Sequence, residues 1–102
     1  LCTRATAALC DILLPDSGHL QERDADFANR RGFSRHQPAL PLYTQADARL
    51  ALKLFRTVEF GAWHPVADGI SARYHRAGHI LGAASIELDW KGRTILFSGD
   101  IG

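Results

Sequence analysis

From Ile70 onward the apolar and polar positions alternate, with Ile70, Ala72 and Tyr74 set against Ser71, Arg73 and His75. A period of two is that of a half-buried strand. Ala84, Ile86, Leu88 and Trp90 repeat the pattern, Lys91-Gly92 is a turn signal, and residues 94–97 form a compact apolar run. The second half of the chain is therefore predicted to be one strand followed by a hairpin, with Trp90 in the core by its place in the alternation. The first half has the helical period. Thr6 can cap a short helix carrying Leu9, Ile12 and Leu13 on one face, with Pro15 ending it. After a turn at Asp16-Ser17-Gly18, residues 20–31 space Leu20, Phe27 and Ala28 as a second helix that Gly32 stops. Pro38 and Pro41 mark an extended connection. Thr44-Gln45-Ala46-Asp47 then reads as a capping box with Asp in place of Glu, opening a helix whose face carries Leu50, Ala51, Leu54, Phe55 and Val58. Arg49, Lys53 and Arg56 lie on its solvated side.

Helices first and three mostly antiparallel strands afterwards make an α/β layer structure, without internal repeats, low-complexity tracts or linkers. At 102 residues, one domain or part of one is the limit. The chain has no methionine and stops at Gly102 inside what reads as a loop, so a piece of a longer chain is expected. Twelve basic residues against 11 acidic give a net charge of +1, which argues neither for nor against a nucleic-acid partner. Arg30, Arg31 and Arg35 cluster, which fits a phosphate-contacting patch or, more simply, a solvated loop. Cys2 and Cys10 form no CxxC pair and are expected as free thiols, which suits a reducing compartment. No apolar run approaches the ~20 residues that cross a bilayer, and no signal segment opens the chain. A cytoplasmic protein with no membrane partner is the expectation.

Two segments set a metal-ligating side chain among glycines at a strand end: Gly78-His79-Ile80-Leu81-Gly82 and Ser98-Gly99-Asp100-Ile101-Gly102. Imidazole and carboxylate are the ligand types of hydrolytic zinc, and glycine neighbours leave room for water and substrate. Taken singly, His79 also suits a hydrogen-bonded loop and Asp100 an Asx-type turn. His75 lies four residues before His79, but on a strand that spacing does not bring two imidazoles to one metal, so it is read as structural or solvent-facing. His19, His36 and His64 have no neighbouring ligand pattern. Trp63 and Trp90 could stack on bases, although Trp90 fits an apolar face.

The chain resembles, over nearly its whole length, the β-CASP branch of the metallo-β-lactamase superfamily, RNA-processing nucleases related to the cleavage and polyadenylation endonuclease. Three stretches carry the resemblance. They are Thr3-Arg4-Ala5-Thr6 through Leu9 with Asp16-Ser17; Pro41-Leu42-Tyr43-Thr44 leading to Asp47-Ala48; and AGHILGAASIEL running on to ILFSGDIG. The last pair, in that order and separated by one hairpin, is the specific part. The resemblance implies that the chain is part of an αββα sandwich. It implies that His79 is a zinc ligand and that Asp100 bridges two zincs, with Gly78, Gly82, Ser98 and Gly99 shaping the loops. The family's HxHxDH motif and β-CASP domain are absent from these 102 residues, so residues 1–102 would be a fragment of the metallo-β-lactamase domain with half a site. The expected parent is a metal-dependent hydrolase with two zinc ions acting on RNA, DNA being the lesser expectation, and a homo-oligomer stays open. A non-catalytic scaffold of the same fold, or a hydrolase acting on DNA or on a small thioester or lactone, are the competing readings.

Overall fold

A computed structural model describes residues 1–102, which form two compact units: residues 1–7 with 56–102, and residues 8–55. The elements run β1 (Cys2–Thr3), α1 (Arg4–Arg31), α2 (Gln45–Leu52), β2 (Thr57–Val58), β3 (Trp63–Ala67), β4 (Ile70–Arg76), β5 (Ala84–Trp90) and β6 (Arg93–Phe97). The α/β class holds, and both helices precede the four-stranded sheet, although the two-residue β1 comes ahead of them.

In the first unit, β3-β4-β5-β6 make an antiparallel four-stranded sheet, and β1 pairs with β2 in parallel. The alternation placed β4 and β5 correctly: Ala72 and Tyr74 are buried at the centre of a small core with Val58, against which Phe60, Ala84, Ile86 and Leu88 pack. Tyr74 donates its hydroxyl to the Leu1 carbonyl at 3.2 Å, and burial pushes its acidity down, raising its pKa. The turn between β5 and β6 has Lys91 at φ 52° and Gly92 at φ 77°, two left-handed residues as a two-residue hairpin requires. β3 is a fourth strand that the pattern did not announce. Pro65 interrupts it, and the ladder to β4 shifts register between Pro65 and Ala67, which an edge strand tolerates. Trp90 is not in the core. It is half exposed at the turn end of β5, beyond the Tyr74-centred cluster, with the Lys91 ammonium 5.1 Å from its ring. Ile95 and Phe97 are also more than half exposed.

The second unit corrects two boundaries. Pro15 does not end a helix, and Asp16-Ser17-Gly18 is not a turn: α1 runs unbroken from Arg4 to Arg31. Gly18 serves close packing instead, since a Cβ there would lie 2.7 Å from the backbone of Thr44 and Gln45. Two further contacts join the same segments: the Ser17 and Tyr43 hydroxyls, and Gln45 N–H to the Glu22 carboxylate at 3.1 Å. Gly32 ends α1 at φ 68°, as expected. In the connection that follows, the Asn29 side chain takes the place of a strand partner for Ala39, accepting from its N–H at 2.7 Å and donating to its carbonyl at 3.0 Å.

The capping box is present in full. Thr44 accepts from Asp47 N–H and Asp47 from Thr44 N–H, each at 3.0 Å, and these bonds hold the Asp47 carboxyl below its usual pKa. But α2 stops at Leu52, and Val58 belongs to β2 beside Thr3, not to a helical face. The last turn tightens, Lys53, Leu54 and Phe55 each donating to the carbonyl three residues back. Only Ala48 of α2 is buried; Leu50 and Leu54 are exposed. No helix is long and apolar enough to cross a membrane.

On the polar face of the sheet, Glu87 is held from two sides. Arg73 donates to its Oε2 at 2.9 and 3.2 Å while lying 4.5 Å over the Trp63 ring, and His75 Nε2–H donates to the same oxygen at 2.7 Å. The His75 bond first, then Arg73, hold the Glu87 carboxyl below its usual pKa. A carboxylate that binds its proton less readily when folded stabilises the fold above its unfolded pKa, and that stabilisation is lost as pH falls through the folded value. Urea unfolding followed across the acid range should therefore show stability falling as pH drops through and below the ordinary glutamate range. Glu87→Gln should flatten that dependence relative to the unsubstituted chain, Asp47 supplying what remains. In the second unit, Gly18→Ala should cost about 1–3 kcal/mol, because its methyl meets backbone rather than a movable side chain. An unchanged urea midpoint would contradict the close approach at Gly18.

Candidate metal site

The topology decides where His79 and Asp100 emerge. β4 and β6 both run antiparallel to β5, so they are parallel to each other and their C-terminal ends lie at the same end of the sheet. His79 follows the last residue of β4 by three positions, and Asp100 follows the last of β6 by three. Two strands separated by a third are about 9–10 Å apart. The loops close that gap by leaning over the start of β5.

Each loop is held by backbone contacts that glycine permits. Residues 77–83 are pinned at the base by Ala77 N–H to the Ala83 carbonyl at 3.2 Å and turned by Ala83 N–H to the Ile80 carbonyl at 3.0 Å, with Gly82 at φ 87° in the third position of that turn. Gly78 is also left-handed, at φ 74°. The Gly82 carbonyl accepts from the Thr3 hydroxyl at 2.8 Å and the Thr6 hydroxyl at 3.1 Å. In the second loop, Ser85, which is buried, donates its hydroxyl to the Ser98 carbonyl at 2.8 Å, and Gly99 takes φ 59°. Gly102 N–H then donates to the Ala77 carbonyl at 3.2 Å, and its α-carbon runs so close to the first loop that a Cβ would lie 2.6 Å from His79 Cα. The two glycine-flanked segments are thus laid directly on one another.

The result brings His79 Nε2 within 3.8 Å of Asp100 Oδ2. That is too long for a hydrogen bond. It is close to the separation of two ligands on one tetrahedral zinc, which at bond lengths of about 2.0–2.2 Å is roughly 3.3–3.6 Å. A small side-chain rotation would bring both donors to one ion, and both side chains have the freedom for it, His79 being 45% exposed and Asp100 86%. The donor types and their spacing fit zinc. The number does not suffice: no group of three or more histidine, cysteine, aspartate or glutamate side chains gathers anywhere in the chain.

The other candidates stay apart. His75 is engaged by Glu87 on the sheet face, as its strand position implied, and His64 Nε2 lies 3.3 Å from the Glu59 carbonyl. Cys2 and Cys10 are free thiols. Arg30, Arg31 and Arg35 are exposed. A groove of about 550 Å³ lies on the apolar face of the sheet among Leu1, Tyr74, Ile86, Leu88 and Phe97, and contains neither candidate ligand. Ser85 and the part played by Thr3 and Thr6 add to the residues that the sequence pattern marks. Ser85 sits among the polar positions of its strand with nothing to set it apart, whereas the two threonines fall in a stretch that carried the family resemblance.

No protein-family model matches the chain. Among curated proteins, it is 29% identical over 98% of its length to ribonuclease TTHA0252 of Thermus thermophilus, covering 19% of that protein. It is 39% identical over 96% of its length to endoribonuclease ysh1 of Emericella nidulans, covering 10%, and 34% identical over 58% to an RNase J-like protein of Methanocaldococcus jannaschii, covering 14%. The chain spans between a tenth and a fifth of the length of these relatives. The resemblance carried by AGHILGAASIEL and ILFSGDIG is borne out: the chain is homologous to a short stretch of ribonucleases of the β-CASP branch of the metallo-β-lactamase superfamily.

Proposed function

We propose that the protein containing these residues is a zinc-dependent phosphodiesterase acting on RNA, with His79 and Asp100 among its metal ligands. The observation that carries the reading is the convergence of an imidazole and a carboxylate, 21 positions apart in sequence, to 3.8 Å at one end of the sheet. The names of the relatives, ribonuclease and endoribonuclease, support RNA as the substrate class and hydrolysis as the reaction. The free thiols suit a reducing compartment, which supports a cytoplasmic setting.

Zinc, when bound, supplies Lewis acidity and a water acidic enough to act as nucleophile near neutral pH. The chain's own part is to hold and orient. His79 would offer one ring nitrogen. Asp100, whose side chain is 86% exposed, would offer two carboxylate oxygens. The glycines on either side keep side chains away from the pair, leaving room for a phosphodiester. Two donors fall short of the three protein ligands of a catalytic zinc, and the remainder comes from residues outside these 102. Alone, the chain then binds zinc weakly and hydrolyses nothing.

In the intact protein, assayed on labelled RNA, Asp100→Asn should lower activity by at least ~100-fold while leaving the fold intact, since metal sites lose up to that much even from their outer shell. His75→Ala should stay within about twofold, as a substitution away from the site. Equal losses from the two would refute the ligand assignment, and an intact protein inactive on RNA would refute the reaction. Calorimetry on the 102-residue chain should give weak zinc binding; tight, stoichiometric binding would show that two donors suffice.

A further inference from the structure

Thr3 and Thr6 are 79 and 76 residues away from Gly82, yet both hydroxyls reach its carbonyl. Thr3 is the least exposed polar residue of the chain, at 3%. Its hydroxyl oxygen also accepts from Thr6 N–H at 3.2 Å, capping the first turn of α1, and lies 3.0 Å from the Thr6 hydroxyl. One carbonyl has two lone pairs, and both are used. The contact is closed on its other side as well: a Cβ on Gly82 would lie 2.6 Å from Thr6 N and Oγ1 and 2.9 Å from Thr3 Oγ1. No other residue type could occupy Gly82 without opening the clamp.

Capping α1 needs only the Thr3 oxygen and the Thr6 N–H. The Thr6 hydroxyl has no part in it, and the pairing of β1 with β2 uses backbone alone. What the second hydroxyl adds is a fixed position for Gly82, three residues from His79 in a loop otherwise held at its base, by the Ile80–Ala83 turn bond and by the Gly102 crossing. We propose that Thr3 and Thr6 are positioning residues for the His79 loop: their paired hydroxyls hold the Gly82 carbonyl so that the imidazole is presented to Asp100. The proposal rests on the reading of His79 and Asp100 as a ligand pair. Neither threonine is a ligand, and both act through the loop backbone.

The test is a zinc titration of the 102-residue chain, followed through the histidine ring signals by NMR, which reads weak binding directly and needs no activity. Thr6→Val should raise the zinc dissociation constant on the order of threefold to tenfold, the worth of one hydrogen bond, and Thr6→Ser should restore it. Thr3→Val should do the same or more, with Thr3→Ser as its rescue. Thr3 also caps a helix and is buried, so Thr6, which is half-buried and caps nothing, carries the test if Thr3→Val fails to fold. His79→Ala and Asp100→Asn are titrated in parallel. If these two abolish the response at the His79 ring or elsewhere and Thr6→Val leaves the constant unchanged, the clamp is structural only and the proposal falls while the ligand pair stands. If Thr6→Val weakens binding and Thr6→Ser weakens it equally, the methyl group rather than the hydroxyl matters, and the proposal falls again. If zinc produces no response in the unsubstituted chain, or one that His79→Ala and Asp100→Asn do not alter, the ligand pair itself is wrong.

Discussion

The register of β5 between β4 and β6 is the constraint on which everything else in the first unit depends. Seven residue pairs join β4 to β5 and five join β5 to β6. A slip by one residue would turn Ala72 and Tyr74 out of the core and carry Glu87 away from Arg73 and His75. It would also move one loop along the sheet by about 3.3 Å, enough to part His79 from Asp100. Three features hold the register together: the Ala72, Tyr74, Ile86 and Leu88 packing on one face, the Glu87 clamp on the other, and the left-handed Lys91-Gly92 turn at one end. The candidate site lies at the opposite end and is a consequence of that pairing.

At the site itself, order resides in the backbone and freedom in the side chains. Gly78 and Gly102 let the two loops meet main chain to main chain, and Ser85 and the two threonines tie them down from buried or half-buried positions. The donors, by contrast, are exposed and share no hydrogen bond. A metal would find the backbone already arranged and would have to order only two side chains, while a donor count of two limits how tightly it could be held.

Strands β4, β5 and β6, the hairpin turn and the capping box are legible in the sequence because each has a local signal, a period, a dipeptide or a spacing, whereas His79 and Asp100 stand out locally only as ligand types beside glycine and are joined by the family resemblance. Where sequence and fold part, a local signal points the wrong way. Pro15 and Gly18 are both helix punctuators, yet α1 passes through them, because Gly18 answers to Thr44 and Gln45 rather than to a turn. Val58 continues a helical stripe by spacing alone, but its β-branched neighbour Thr57 and the partner strand at Cys2 and Thr3 draw it into a sheet. Pro65 hides β3, whose edge position and register shift accommodate it. Trp90 keeps the alternation but sits past the end of the core that the alternation serves.

Thr3-Arg4-Ala5-Thr6 falls between these cases. Read locally, the segment offers a helix cap at Thr6 and nothing more; the structure puts the cap at Thr3, since α1 already starts at Arg4 and Thr6 N–H donates to the Thr3 hydroxyl oxygen. The family resemblance singles it out without giving a reason. The physical reason is long-range: two hydroxyls one helical turn apart converge on a carbonyl more than 70 residues away, which no window of periodicity can register. The partner of that bond leaves a trace at the other end, since Gly82 must be glycine twice over, once for its φ of 87° and once for the space that Thr6 occupies. A glycine under two separate demands, three residues from a ligand-type histidine, calls for a support from elsewhere in the chain. A carbonyl in such a tight place can be reached only by short donors that are themselves fixed, and two threonines on the first turn of a helix meet both conditions.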